Sequence, residues 1–152
     1  MNASNKDIEV AASLRTVIHR LVKVLRKQTQ HQHTLSLTER SCLSLLYQHG
    51  ELLPSELAQM EKVTTQSMSQ IINHLFKLDL LVKTPSGEDK RKVNLSLTPA
   101  GRYFIEQVRQ EKQEWLARVL HEKTTDKEKD VLKEAMNILA KLIDEPGDTL
   151  QK

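Results

Sequence analysis

One cysteine, four glycines, four prolines, one tryptophan, two tyrosines and two phenylalanines are spread over 152 residues. The lone Cys42 excludes an intrachain disulfide and fits a reducing compartment. Scarce glycine and proline leave long uninterrupted stretches, which favour helices over a turn-rich β fold. No apolar run approaches the ~20 residues of a membrane span. The opening segment MNASNKDIEV has no signal-peptide apolar region, so a soluble, cytoplasmic protein is expected. With aromatics at 3%, an aromatic-lined drug pocket is not evident. There is no glycine-rich phosphate loop, no H-E-x-x-H pair, and no Ser, His and Asp set in a recognisable context. No enzyme and no cofactor are expected.

Hydrophobic residues at 38% and charged residues at 28% describe a globular chain, and the length suits about one domain. The formal charge of +3 permits nucleic-acid binding without demanding it. Its distribution is more informative. Arg15, Arg20, Lys23, Arg26 and Lys27 fall in a stretch, Ser13 to His33, that holds no acid. From Lys83 to Lys92, four basic residues accompany Glu88 and Asp89.

The patterning predicts six helical segments and one hairpin. Ala11, Leu14, Ile18, Leu21 and Leu25 recur at three- and four-residue spacing, an apolar stripe on a helix from about Lys6 to Gln30. A second helix is expected to start at Thr38 as N-cap, to face inward through Cys42, Leu45 and Leu46, and to stop at Gly50. Pro54 opens a short third helix carrying Leu57, Ala58 and Met60. A tight connection, Lys62 to Thr65, leads into a fourth helix capped by Thr64 or Thr65 and ending near Asp79. Leu80 to Lys83 and the alternating Lys92 to Leu97 read as two strands around a Pro85 to Asp89 turn. Thr98-Pro99 opens a long helix to about Lys123. A capping box at Thr125 to Glu128 opens the last helix, which stops before Pro146-Gly147.

A short helix, a tight turn, a second helix and a charged hairpin define a helix-turn-helix with a wing. On the fourth helix Met68, Ile71, Ile72, Leu75 and Leu78 share one face, and Gln66, Ser69, Gln70, Asn73 and Lys77 the opposite one, flanked by Thr65, Ser67 and His74. Solvated helix faces are usually rich in Glu, Asp and Lys, yet Thr64 to Leu78 contains no acid. A face of amides and hydroxyls does not repel phosphate, and Gln66, Gln70 and Asn73 match adenine edges in the major groove. Thr65, Gln66, Ser67, Ser69, Gln70, Asn73 and Lys77 are therefore the candidate reading residues. In the wing, Lys83, Asp89, Lys90, Arg91 and Lys92 are the candidate contacts, an Arg at such a tip being suited to a narrow minor groove. The alternative is a winged-helix module that binds protein. It would lack a basic wing and show apolar residues on that outer helix face.

Asp89-Lys90-Arg91, Val93 to Leu95 and Leu97-Thr98-Pro99-Ala100-Gly101 resemble the D-x-R wing and following L-T-x-x-G of the MarR family of bacterial regulators. Leu57-Ala58 and Leu75 through Val82 also fit. The resemblance implies a mainly α fold with a small β-hairpin wing: a winged helix-turn-helix lobe over 35–98 and dimerisation helices over 6–34 and 99–145. It implies a homodimer on double-stranded DNA, repression relieved by a small molecule, and an Asp89–Arg91 ion pair shaping the wing. Three departures stand out. Gln70 occupies a position where a basic residue is frequent, Leu53 replaces a capping Ser or Thr, and Leu80 replaces a common Gly. The dimer has an independent argument, because about sixty residues of winged lobe cannot cover three long amphipathic helices. Cys42 reads as a buried core thiol rather than a sensor. His31 and His33 read as exposed loop residues, with no metal site expected.

Overall fold

A computed structural model describes residues 3–29, 35–87, 89 and 91–143. Among them, the order is α1 (Asn5–Arg26), α2 (Leu37–His49), β1 (Glu51–Leu52), α3 (Pro54–Glu61), α4 (Thr65–Lys77), β2 (Leu81–Pro85), β3 (Val93–Leu97), α5 (Pro99–Lys123) and α6 (Asp126–Ile143). The chain divides into two compact units, Met1–Lys112 and Gln113–Lys152. The expected loop histidines His31 and His33, the stop at Pro146-Gly147, and Lys90 lie outside the described residues. No helix of the described residues is long and apolar enough to cross a membrane.

In the first unit each helix start is chemically specified. Ser4 caps α1, and its hydroxyl accepts the Asp7 N–H while the Asp7 carboxylate accepts the Ser4 N–H. Ser36, not Thr38, caps α2: its hydroxyl accepts the Glu39 N–H at 3.2 Å, and the Glu39 carboxylate accepts the Ser36 N–H at 2.7 Å. The reciprocal box wins because it satisfies two helix-end donors at once. At α3 the Leu53 side chain offers no acceptor, so only half a box forms, with the Leu53 N–H donating to Glu56 at 2.7 Å. Helix α1 holds the whole apolar stripe to Leu25 and ends at Arg26, short of the expected end near Gln30.

The sheet holds three strands in the order β1-β3-β2, all antiparallel. The two-residue β1 is the strand that patterning does not reveal. Glu51 pairs with Ser96 and Leu52 with Leu95. Pro85, expected in the turn, lies in β2 opposite Val93. The core beneath is built from Cys42, Leu43, Leu46, Leu57, Met68, Leu75, Leu81 and Leu95, all fully buried. Burying a side chain of that size contributes roughly 1.5–3 kcal/mol. The Cys42 thiol touches the Met68 thioether at 3.9 Å. Met60, carried on the same short helix as the buried Leu57 and Ala58, is exposed.

The end of α4 resolves the missing glycine at position 80. Asp79 adopts the left-handed conformation at φ 57°, which short polar side chains tolerate better than most. The Leu80 N–H then donates to the Leu75 carbonyl at 3.0 Å, closing the helix one residue earlier than glycine at 80 would require. The Leu80 carbonyl accepts the Thr98 N–H at 3.2 Å, and the Thr98 hydroxyl donates to the Asp79 carbonyl and accepts the Gly101 N–H at 3.0 Å. The exit of α4 and the start of α5 are thus tied together.

In the second unit, the expected capping box opens α6. The Thr125 N–H donates to Glu128 at 2.8 Å and the Glu128 N–H to the Thr125 hydroxyl at 3.3 Å. Helix α6 buries no residue within this chain, and its Val131, Met136, Ile138 and Leu142 are exposed. In the first unit α1 likewise buries none, leaving Val10, Val17, Ile18 and Leu21 exposed.

Candidate nucleic-acid interface

Helix α4 is anchored by Met68, Ile72 and Leu75, so the residues half a turn away face outward. Thr65, Gln66, Ser67, Ser69, Gln70, Asn73 and Lys77 are all exposed. Thr64 is the N-cap, its hydroxyl accepting the Ser67 N–H at 3.1 Å. The Thr65 and Gln66 N–H groups precede the first intrahelical bond and open outward at the positive end of the helix dipole.

The outward polar groups are not equivalent. The Ser67 hydroxyl accepts from Thr64 at 3.0 Å, and the Ser69 hydroxyl donates back to the Thr65 carbonyl at 2.9 Å. Both hydroxyls are therefore partly committed to the helix itself. The Asn73 amide oxygen accepts from Lys83 Nζ at 3.2 Å, and that ammonium lies 5.1 Å from the centre of the Phe76 ring.

The flanking face of α4 carries a contact that residue spacing does not reveal. His74 pairs through Nδ1 with the Glu39 carboxylate, the same carboxylate that caps α2. Burial raises the Glu39 carboxyl, but hydrogen bonds from His74 and Ser36 and the His74 charge outweigh it and hold it below its ordinary value. The Ser36-x-x-Glu39 spacing was the available signal for the cap; the His74 partner is a long-range contact with none.

The wing turn is organised by Asp89. Its carboxylate accepts the Arg91 N–H at 3.0 Å and faces Arg91 Nε at 3.8 Å, an Asx-type local bond. The Lys92 N–H donates to the Asp89 carbonyl at 2.9 Å. The Arg91 side chain is 95% exposed, so it projects from the tip. Lys83 and Lys92 are exposed on the two sides of the hairpin. Asn94, behind the turn, donates to Glu51 at 3.2 Å and links the wing to β1.

A cavity of about 350 Å³ within the first unit is lined by Arg26, Arg40, Lys112, Ser41, Glu61 and Phe104, among others. Arg40 Nε is buried there with no hydrogen-bond partner among the described residues. Burial, and then the charges of Arg40 and Arg26, pull the Lys112 ammonium below its ordinary value. Ser41 donates to the Glu61 carboxylate at its edge. Residue spacing gave no hint of this site, because its members come from four separated segments. Cys42 is 1% exposed, and burial, then the Glu61 and Glu39 charges, push its thiol up to about 12. It is the core thiol expected.

A helix-turn-helix with the second helix exposed along a polar face, backed by a β wing, defines the winged helix-turn-helix class. The MarR family profile matches residues 35–93. An uncharacterized HTH-type transcriptional regulator of Mycobacterium leprae is 31% identical over 141 residues, 93% of this chain and 97% of that protein. The chain therefore belongs to the MarR family of transcriptional regulators, and by family it is a DNA-binding protein rather than an enzyme. The fold agrees with that of RV1404 from Mycobacterium tuberculosis, at a TM-score of 0.79, 21% identity, and coverage of 97% of this chain and 99% of that one. It also agrees with a mutant of S. aureus MepR bound to an oligodeoxyribonucleotide, at 0.64, 18% identity, and coverage of 89% and 98%.

Proposed function

We propose that this regulator is a homodimeric repressor that holds a pseudo-palindromic operator through α4 and the wing and lets go when a small anion binds. The observation that carries the proposal is the exposed, acid-free face of α4 standing beside a wing with Arg91 at its tip. Gln66, Ser69, Gln70 and Asn73 face the major groove, Thr65 and Ser67 flank them, Lys77 meets the backbone further along, and Arg91 reaches the adjacent minor groove. Lys90 and Lys92 neutralise phosphate, Lys83 rests against Asn73 at the foot of the wing, and Asp89 shapes the turn. The DNA-bound MepR mutant supports this reading by its fold.

The dimer rests on the apolar stripes of α1 and α6, which bury nothing within the chain. Exposed rows of that length mark an association surface rather than scattered surface residues. A two-fold axis presents two reading helices about one DNA turn, ~34 Å, apart. Release by an effector draws on the cavity. Arg40 and Lys112 bear half-buried positive charge, and Arg40 Nε has a hydrogen-bonding position open among the described residues, which a carboxylate or similar anion would fill.

Binding-site selection from a random duplex pool, with the mass in solution recorded alongside, tests the proposal. The expected result is one two-fold symmetric site bound by one dimer. A folded protein that enriches no sequence would overturn it in favour of a protein-binding role.

A further inference from the structure

The contact between Lys83 and Asn73 bears on which base the reading helix selects. A carboxamide offers one oxygen acceptor and two N–H donors. Asn matches adenine only when both are free, since adenine presents the N7 acceptor and the N6 donor side by side. Here one of the oxygen's two lone pairs is taken by Lys83. A lysine ammonium has three donors and no acceptor, so it faces the amide oxygen and never the amide nitrogen. The 3.2 Å contact fixes the orientation of the Asn73 amide accordingly.

Lys83 is well placed to keep that position. Its backbone lies in β2, paired with Leu95 of β3. Its ammonium sits 5.1 Å from the centre of the Phe76 ring, and Phe76 follows Asn73 by three residues on the same helix. A cation over a ring and against a carbonyl oxygen is held from two sides. Ser69, one turn before Asn73, spends its hydroxyl hydrogen on the Thr65 carbonyl and does not compete for the amide.

We propose that Lys83 is a specificity-determining residue: by occupying the amide oxygen, it turns Asn73 into a donor-only reader. The half-site position facing Asn73 then favours an acceptor edge, guanine with O6 and N7 or thymine with O4, over adenine. The amide oxygen keeps a second lone pair. An adenine N6 hydrogen reaching for it would approach beside the ammonium, positive against positive. Its own donor would otherwise go unmet in a dehydrated groove, which is the expensive outcome. The inference rests on the proposal that α4 reads the major groove.

Binding-site selection with the full-length protein and its Asn73→Ala and Lys83→Met variants separates the two claims. Lys83→Met keeps an apolar stem against Phe76 and removes only the charge, and thermal melting checks that both variants fold. Asn73→Ala is expected to flatten one position in each half-site. At that position the unaltered protein prefers guanine or thymine over adenine by roughly five- to 150-fold, and Lys83→Met raises adenine there. The inference is overturned, with the reading helix intact, by either of two results. One is an adenine preference in the unaltered protein. The other is a Lys83→Met variant that keeps the same letter, binds every sequence more weakly and loses about one unit of salt slope, the signature of a phosphate contact. If the unaltered protein selects no site, the reading of α4 fails and the inference with it; if a site is selected but Asn73→Ala flattens no position in it, Asn73 reads no base and the inference alone is overturned.

Discussion

Gly101→Ala is the substitution whose outcome the structure dictates most directly. In an exposed helix interior, replacing Gly with Ala stabilises by about 0.8–1 kcal/mol. Gly101 is helical and buried in α5, and a Cβ there would stand 1.9 Å from the Leu80 carbonyl oxygen and 2.9 Å from its carbon. These are backbone atoms, so no side chain can rotate aside. Reaching tolerable separation takes a backbone shift of about 1 Å. That carbonyl already accepts the Thr98 N–H at 3.2 Å, and the next residue, Leu81, is buried at the start of β2. Overpacking of this kind costs about 1–3 kcal/mol, and a lost or stretched hydrogen bond adds about 1 kcal/mol. Against a propensity gain of about 1 kcal/mol, the net loss is about 1–3 kcal/mol. Urea unfolding at one fixed protein concentration reads it as a lower midpoint at unchanged slope. An unchanged or raised midpoint would refute the argument, because it would mean that α5 sits away from the Leu80 carbonyl.

Arg91→Ala is expected to weaken operator binding and lower the salt slope by about one while leaving the melting curve unchanged; titration at several ionic strengths checks it, and unchanged affinity at moderate salt removes the wing from the mechanism. Cys42, with its thiol pushed up to about 12, should resist alkylation in the native protein at neutral pH and react once urea unfolds the chain; rapid native labelling would show an open path into the core. Glu39 has its carboxyl lowered in the folded state, so its stabilisation is present above the unfolded value near 4.5 and disappears as pH falls through the lower folded value. The stability gap between the unaltered protein and Glu39→Gln should therefore narrow as the pH drops below about 4.5; a gap constant with pH contradicts the His74 and Ser36 pairing.

Elements with a local cause were legible in the sequence. Pro54, Gly50, Thr64, Thr98-Pro99 and the Thr125 to Glu128 box all stand where their chemistry put them, because a cap or a breaker acts within one turn. The inward face of α4 followed from its 3.6-residue period, and Met68, Ile72 and Leu75 are its anchors. What escaped was either too short or too remote. Strand β1 has two residues, below any periodic signal, and exists because β3 offers it an edge. The choice of Ser36 over Thr38 turned on a reciprocal bond to Glu39 that a single-residue reading overlooks. The left-handed residue moved from position 80 to Asp79, a local adjustment that only backbone geometry reveals. The Asp89–Arg91 pair expected from the family resemblance is present in the wing. The pairs Lys83 with Asn73 and Glu39 with His74 span ten and 35 residues, and nothing in the spacing of either partner announces them.

The position of Glu39 has a mechanical consequence. The first turn of α2 carries Thr38, Arg40 and Ser41 on the wall of the cavity and, between them, the carboxylate that grips His74 on α4. That turn thus has one side on the cavity and its carboxylate on α4. A displacement of the turn would therefore act on the Glu39–His74 contact directly.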